Sequence, residues 1–139
     1  MRRLSVVLLL VVACASNRPA TPGRPEVALE RHGSLFFGSG RTAPLGVDIH
    51  VRNSATQPIR VRRIRLEASP AMAQFSIYPV ERILNETVAP GDIYTLRLVA
   101  TAVTNVQRPN EPLSLRTYVD FELDGKRHRE LYQFLNVHE

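Results

Sequence analysis

From Glu26 onward the apolar residues fall into short alternating runs, broken roughly every eight to twelve positions by turn-forming residues. This spacing is what most narrows the available folds. Period-two alternation puts successive side chains on opposite faces of an extended strand, so each run buries one face and leaves the other in solvent. Runs this short cannot hold a core singly and must stack as two sheets. Composition agrees: 10 prolines, no tryptophan and an aliphatic, β-branched apolar content argue against a helical bundle. At 139 residues there is room for one core. The expectation is an all-β sandwich of about seven to eight antiparallel strands over residues 26–139.

Val27 and Leu29, with Leu35 to Phe37, read as one broken first strand, followed by a loop from Gly38 to Pro44. Gly46 to Asn53 alternates cleanly: Val47, Ile49 and Val51 share one face, Asp48, His50 and Arg52 the other. In the run Pro58 to Ala68, Ile59 and Val61 are out of phase with Ile64 and Leu66, so a β-bulge at Arg62-Arg63 is needed to turn all four inward. Phe75 and Ile77 mark a short strand, Val80 to Val88 follows no clear period, and Ala89-Pro90-Gly91-Asp92 is a turn before a strand from Ile93 to Ala102 with Tyr94, Leu96 and Leu98 on one face. Asp124-Gly125 is a two-residue hairpin signal between Leu113 to Leu123 and Lys126 to Val137. Its register sets Glu122 against Arg127, Asp120 against Arg129, Thr117 against Tyr132 and Leu115 against Phe134. It also sets Phe121 against His128 and Val119 against Glu130, so the tip is expected to project beyond the core or to leave that register.

The order Val47-Asp48-Ile49-His50-Val51-Arg52-Asn53, then Pro58-Ile59-Arg60-Val61, Ile64-Arg65-Leu66, Phe75-Ser76-Ile77 and Ala89-Pro90-Gly91 resembles an immunoglobulin-like sandwich. It is most similar to the major-sperm-protein and abnormal-spindle class, over about half of the chain beyond Cys14. The Cys pair and buried Trp of antibody-type domains are missing. The resemblance implies a domain that binds proteins or acts as a spacer, a fold-level analogy only.

The first residues carry a different signal. Met1-Arg2-Arg3 is followed by an apolar run from Leu4 to Val12 and by Ala13-Cys14, the charged, oily and small-residue order of an export signal. The oily run is too short to cross a bilayer, which needs about 20 apolar residues. Val11-Val12-Ala13-Cys14 resembles the lipobox of bacterial lipoproteins. That resemblance implies cleavage after residue 13, diacylglycerol on the Cys14 thiol, further acylation of the new amino group and, with Ala15-Ser16 following, transfer to the outer membrane. Cys14 is the chain's only cysteine and can make no internal disulfide. Residues 15–25, with three prolines, read as a polyproline-II-biased tether, so residues 14–25 form the anchor and linker. Loss of Arg2 and Arg3 would lower the formal net charge from +5 to +3. With an export signal, that weakens a nucleic-acid reading, and none is expected.

Chemistry-bearing motifs are sparse. His32, His50, His128 and His138 are dispersed without metal-ligand spacing, so no metal or cofactor is expected. Gly38-Ser39-Gly40 lacks the context of a nucleophile elbow or phosphate loop, and Asn85-Glu86-Thr87 is a sequon without its machinery in a bacterial envelope. The remaining feature is Arg60, Arg62, Arg63 and Arg65 on one strand. Facing outward, they would present guanidinium forks to lipid phosphate, lipopolysaccharide or an acidic partner. The competing reading is a charged solvent face, or protection of a sheet edge. The resulting expectation is a lipid-anchored envelope lipoprotein, not an enzyme, whose sandwich serves as a protein-interaction or structural module. The alternatives are a carrier acting through a sheet edge and a small envelope hydrolase.

Overall fold

A computed structural model describes residues 23–137, so the expected signal peptide, Cys14, most of the tether and His138 lie outside the described residues. Eight antiparallel strands form two four-stranded sheets. In chain order they are β1 (Glu26–His32), β2 (Thr42–Arg52), β3 (Ile59–Ala68), β4 (Phe75–Ile77), β5 (Val80–Val88), β6 (Ile93–Thr104), β7 (Leu115–Leu123) and β8 (Lys126–Phe134). The sheets run β1-β2-β6-β4 and β5-β3-β7-β8. The first follows the A-B-E-D order of a constant-type immunoglobulin sandwich and β3-β7-β8 its C-F-G order, with β5 added at the free side of β3. The all-β sandwich expected from the alternation is present, and the described residues contain no helix.

The core is the inward face of each run. Val47, Ile49 and Val51 of β2 are sealed against Ile59, Val61, Ile64 and Leu66 of β3, all without solvent contact. Burying an aliphatic side chain of this size contributes about 1.5–3 kcal/mol. The four β3 residues are inward together because the register against β7 shifts between Val61 and Arg63, where the phase of the sequence slips. At the hairpin, Asp124 and Gly125 have φ of +52° and +71°. Positive φ at both central residues gives a turn whose twist matches the strands, and Gly125 adopts it without a Cβ penalty.

The β7-β8 register is the expected one at every position, including Phe121 opposite His128 and Val119 opposite Glu130. The tip neither projects nor slips. Phe121 is buried and stacks on His128 at 5.2 Å, while Glu130 reaches Arg24 at 3.4 Å. Arg24 belongs to a strap, residues 23–25, that lies along β8. Its guanidinium donates to the Leu131 carbonyl and sits 4.5 Å over the Tyr132 ring, and the Tyr132 hydroxyl donates to the Pro25 carbonyl. Gly23 lies so close to Leu123 that a Cβ would meet the leucine's Cδ2 at 2.5 Å. Residues 23–25, inside the stretch read as tether, are thus packed against the sandwich.

Three sequence expectations change. β2 begins at Thr42, so the last three residues of the loop expected from Gly38 to Pro44 are strand paired with β6. Leu35 to Phe37 does not continue β1, which ends at His32; Gly33 turns the chain at φ +72°, and Phe37 plugs the core from a loop, 6.3 Å from Phe75. Val80 to Val88 is a strand after all, and its period was obscured because it is an edge with Arg82 and Glu86 on the core side of its register.

Candidate functional site

The outer face of the β5-β3-β7-β8 sheet is where the sandwich concentrates charge. The bulge gives β3 two consecutive outward positions, so Arg60, Arg62, Arg63 and Arg65 all face away from the core, where they are joined by Arg116 of β7 and Arg127 and Arg129 of β8. Glu67, Glu81, Asp120 and Glu122 share the face, leaving an excess of three positive charges.

The predicted row does not stand as bare guanidinium forks. Arg63 meets Asp120 at 2.6 Å, and Arg129 grips the same carboxylate through two contacts of 2.7 and 3.1 Å. Arg65 and Arg116 each reach Glu67 at 2.6 Å. Arg62 donates to Asn85 at 2.9 Å and approaches Glu122 at 3.7 Å. Arg60 alone among the seven has no hydrogen bond or ion pair among the described residues. Except for Glu67, which lies on β3 itself two residues from Arg65, the partners come from β5 and β7, far away in sequence, which is why the strand's own sequence overstated its free charge.

The carboxylates respond accordingly. Hydrogen bonds from Arg129 hold Asp120 below the usual carboxylate range, against a burial effect that raises it, with Arg63 adding to the lowering. For Glu67, burial pushes upward, but hydrogen bonds from Arg116 and Arg65 outweigh it and the net shift is down. The network therefore remains ionised and locks the arginines in place. Between Arg62, Arg63, Arg127 and Arg129 lies an open depression of ≈ 500 Å³ whose apolar wall is Ile83, 82% exposed. An exposed isoleucine ringed by arginines suits a partner that brings an apolar knob and acidic neighbours.

The opposite sheet assembles a second cluster that sequence reasoning missed. On the outer face of β1, β2 and β6, Asp48 receives two hydrogen bonds from Arg97, at 2.9 and 3.0 Å, and contacts His32 at 2.7 Å. The Arg97 hydrogen bonds are the main reason its carboxyl sits far below the ordinary range, with His32 assisting against burial. Beside it, His50 Nδ1 lies 2.8 Å from the Thr95 hydroxyl and Nε2 3.5 Å from Glu30. The available signal was Asp48-x-His50 on one strand face; the β1 and β6 partners are visible only in the fold. A hydroxyl, imidazole and carboxylate in line resemble the parts of a nucleophilic relay, here laid out on the open outer face of β1, β2 and β6. Among the described residues no three His, Cys, Asp or Glu side chains converge to hold a metal ion, and no helix is long and apolar enough to cross a membrane.

No protein-family description matches the chain, and no curated protein matches it. Similar folds occur among solved structures. A Northeast Structural Genomics Consortium target has 13% identity and a TM-score of 0.56, covering 82% of this chain and 84% of that one. A protein from Archaeoglobus fulgidus gives 13% identity and a TM-score of 0.46, covering 79% and 91%. A FixG-related protein from Vibrio parahaemolyticus gives 13% and 0.40, covering 81% and 96%. The first of these supports the β-sandwich fold, and at this identity the likeness concerns fold alone.

Proposed function

We propose that this chain is a bacterial envelope lipoprotein, held to the membrane by acyl chains on Cys14, whose sandwich presents the arginine-rich sheet to an acidic partner protein. The observation that carries the reading is the ordered cationic face around Ile83, with its charge excess and exposed apolar centre. The strap sets where the described part of the expected tether lies. Gly23, the first described residue, lies against Leu123 and Ala55 at the hairpin end. Two or three acyl chains are required because one alone binds a bilayer only marginally.

The tether is tested by metabolic labelling with a fatty acid. Wild type should carry the label and fractionate with membranes, and Cys14→Ser should lose both; an unlabelled wild type would refute the anchor. The surface is tested by charge reversal at Arg60 and Arg127, the least constrained arginines of the face, which leaves the Asp120 and Glu67 pairs intact. In-cell cross-links to an envelope protein should drop at least about tenfold in Arg60→Glu/Arg127→Glu, the loss of about 1.4 kcal/mol, with the thermal midpoint unchanged. Undiminished cross-linking would count against this face. One observation favours the carrier reading in its place: on the side of β6 away from β2, β4 covers only Ala102 to Thr104, and no other strand lies there among the described residues.

A further inference from the structure

An uncovered strand is a template for another strand, and folded proteins usually shield one with charge, proline, a bulge, short length or a covering segment. Most edges here have such protection. On β8 the strap donates to the Leu131 carbonyl. On β5, Arg82 and Glu86 lie on the core side of the register. β4 has three residues, and β1 carries Glu26, Glu30 and Arg31 in seven.

β6 is the exception. It pairs with β2 along its length, whereas β4 covers only Ala102 to Thr104. The Thr104 N–H donates toward β2, to the Arg41 carbonyl, while the Thr101 carbonyl faces the other way and accepts from the Tyr78 N–H. Since the β2-β6 register is unbroken, alternation aims the backbone groups of Ile93, Thr95, Arg97 and Val99 away from β2, with no strand beside them among the described residues. This stretch contains no proline and no bulge. Its one charge, Arg97, is already matched by Asp48. Ile93 and Val99 stand 59% and 63% exposed on its outer face, and Tyr94 and Leu96 on the core side are only partly buried.

We propose that a second copy of this chain occupies that edge, the two β6 strands pairing antiparallel about a two-fold axis at Leu96 and joining the β1-β2-β6 sheets into one. Three features select a copy of the same chain over another partner. The free stretch is bounded by Tyr78 at Thr101 and by the turn at Asp92, whose carbonyl accepts from Asn53, so its midpoint is Leu96 and full overlap puts the axis there. That axis sets Ile93 opposite Val99 of the other copy, covering both exposed apolar residues with each other. It also sets Thr95 opposite Arg97, so no two like charges meet. An isologous contact of this kind closes at two copies and leaves no further edge of the same type.

The pairing is independent of the arginine-rich face, which lies on the other sheet. It is tested by sedimentation of the full chain in a mild detergent. Wild type should sediment at twice the protein mass of one chain. Ile93→Lys/Val99→Lys, which sets lysine opposite lysine, should be a monomer with an unchanged circular dichroism spectrum. Ile93→Lys/Val99→Glu, which sets lysine opposite glutamate, should restore the dimer. In a Cys14→Ser background, Ile93→Cys/Val99→Cys should oxidise to a covalent dimer, because cross-strand partners at about 5.5 Å suit a disulfide whereas the two positions within one strand lie about 20 Å apart. A monomeric wild type, as expected if the edge instead receives a strand from a different protein, overturns the proposal. So does a dimer untouched by the double lysine, or a lysine-glutamate variant that stays monomeric.

Discussion

At Asn53 one buried carboxamide ties three stretches of chain together. Its Nδ2 donates to the carbonyls of Gln57 and Val88, its Oδ1 accepts from the Ala55 N–H, and its own backbone bonds with Gly91 and Asp92. The side chain thus closes the loop after β2 and fastens it to the turn between β5 and β6. Asn53→Ala leaves the Val88 carbonyl buried without a donor, so unfolding free energy should fall by about 3 kcal/mol, at the upper end for one unsatisfied group. Urea denaturation reads this as a lower midpoint at constant slope. Thr117 presents the reverse case. It is fully buried, yet its hydroxyl has no hydrogen-bond partner among the described residues. Thr117→Val keeps the shape and removes the stranded polar group, and should raise stability by about 1 kcal/mol in the same assay. A fall would mean that the hydroxyl is satisfied after all.

The strands show which parts of this fold can be read before it forms. The β3 bulge and the β7-β8 register were legible because each is written locally, in a phase slip within ten residues and in Asp124-Gly125. The fates of Leu35 to Phe37, β5 and most of the arginines were not, because each depends on partners distant in the chain: Phe75 for Phe37, an edge position for β5, Asp120 for Arg63, and Asn85 and Glu122 for Arg62. The same holds for Asp48 and His50, one strand apart from Glu30 and Arg97 only once folded. The local reading of β3 makes its own prediction. Deleting Arg62 leaves Ile59, Val61, Ile64 and Leu66 in a single period-two phase, so the shortened protein should still unfold cooperatively. Deleting Arg65 turns Leu66 outward and Glu67 inward and should abolish the cooperative transition. Equal behaviour of the two deletions would show that the bulge does not set the phase of β3.

For the molecule as a whole, pH separates the charges that hold structure from those that decorate it. Asp48, Glu67, Glu111 and Asp120 all titrate below their ordinary values of 3.8 for Asp and 4.5 for Glu. A carboxyl whose folded pKa lies below its unfolded one binds fewer protons when folded. Its contribution is therefore complete above about pH 4.5 and is lost as the pH falls toward the folded pKa. The urea midpoint should accordingly be level from pH 7 to about 5 and decline on further acidification. Salt should divide that decline into two parts. Asp48, Glu67 and Asp120 are held down by arginines at the surface, an attraction that added salt screens. Glu111 is held down first by the Ala73 N–H, against burial, and then by the Gln74 and Phe75 amides at the start of β4. Those short hydrogen bonds involve no second ion and are screened far less. High salt should thus reduce the acid decline by the screened, ionic part of the arginine pairs while leaving the Glu111 part, which Glu111→Ala removes. A decline abolished by salt in the wild type would place all the acid sensitivity in the arginine pairs and deny Glu111 its part in holding β4.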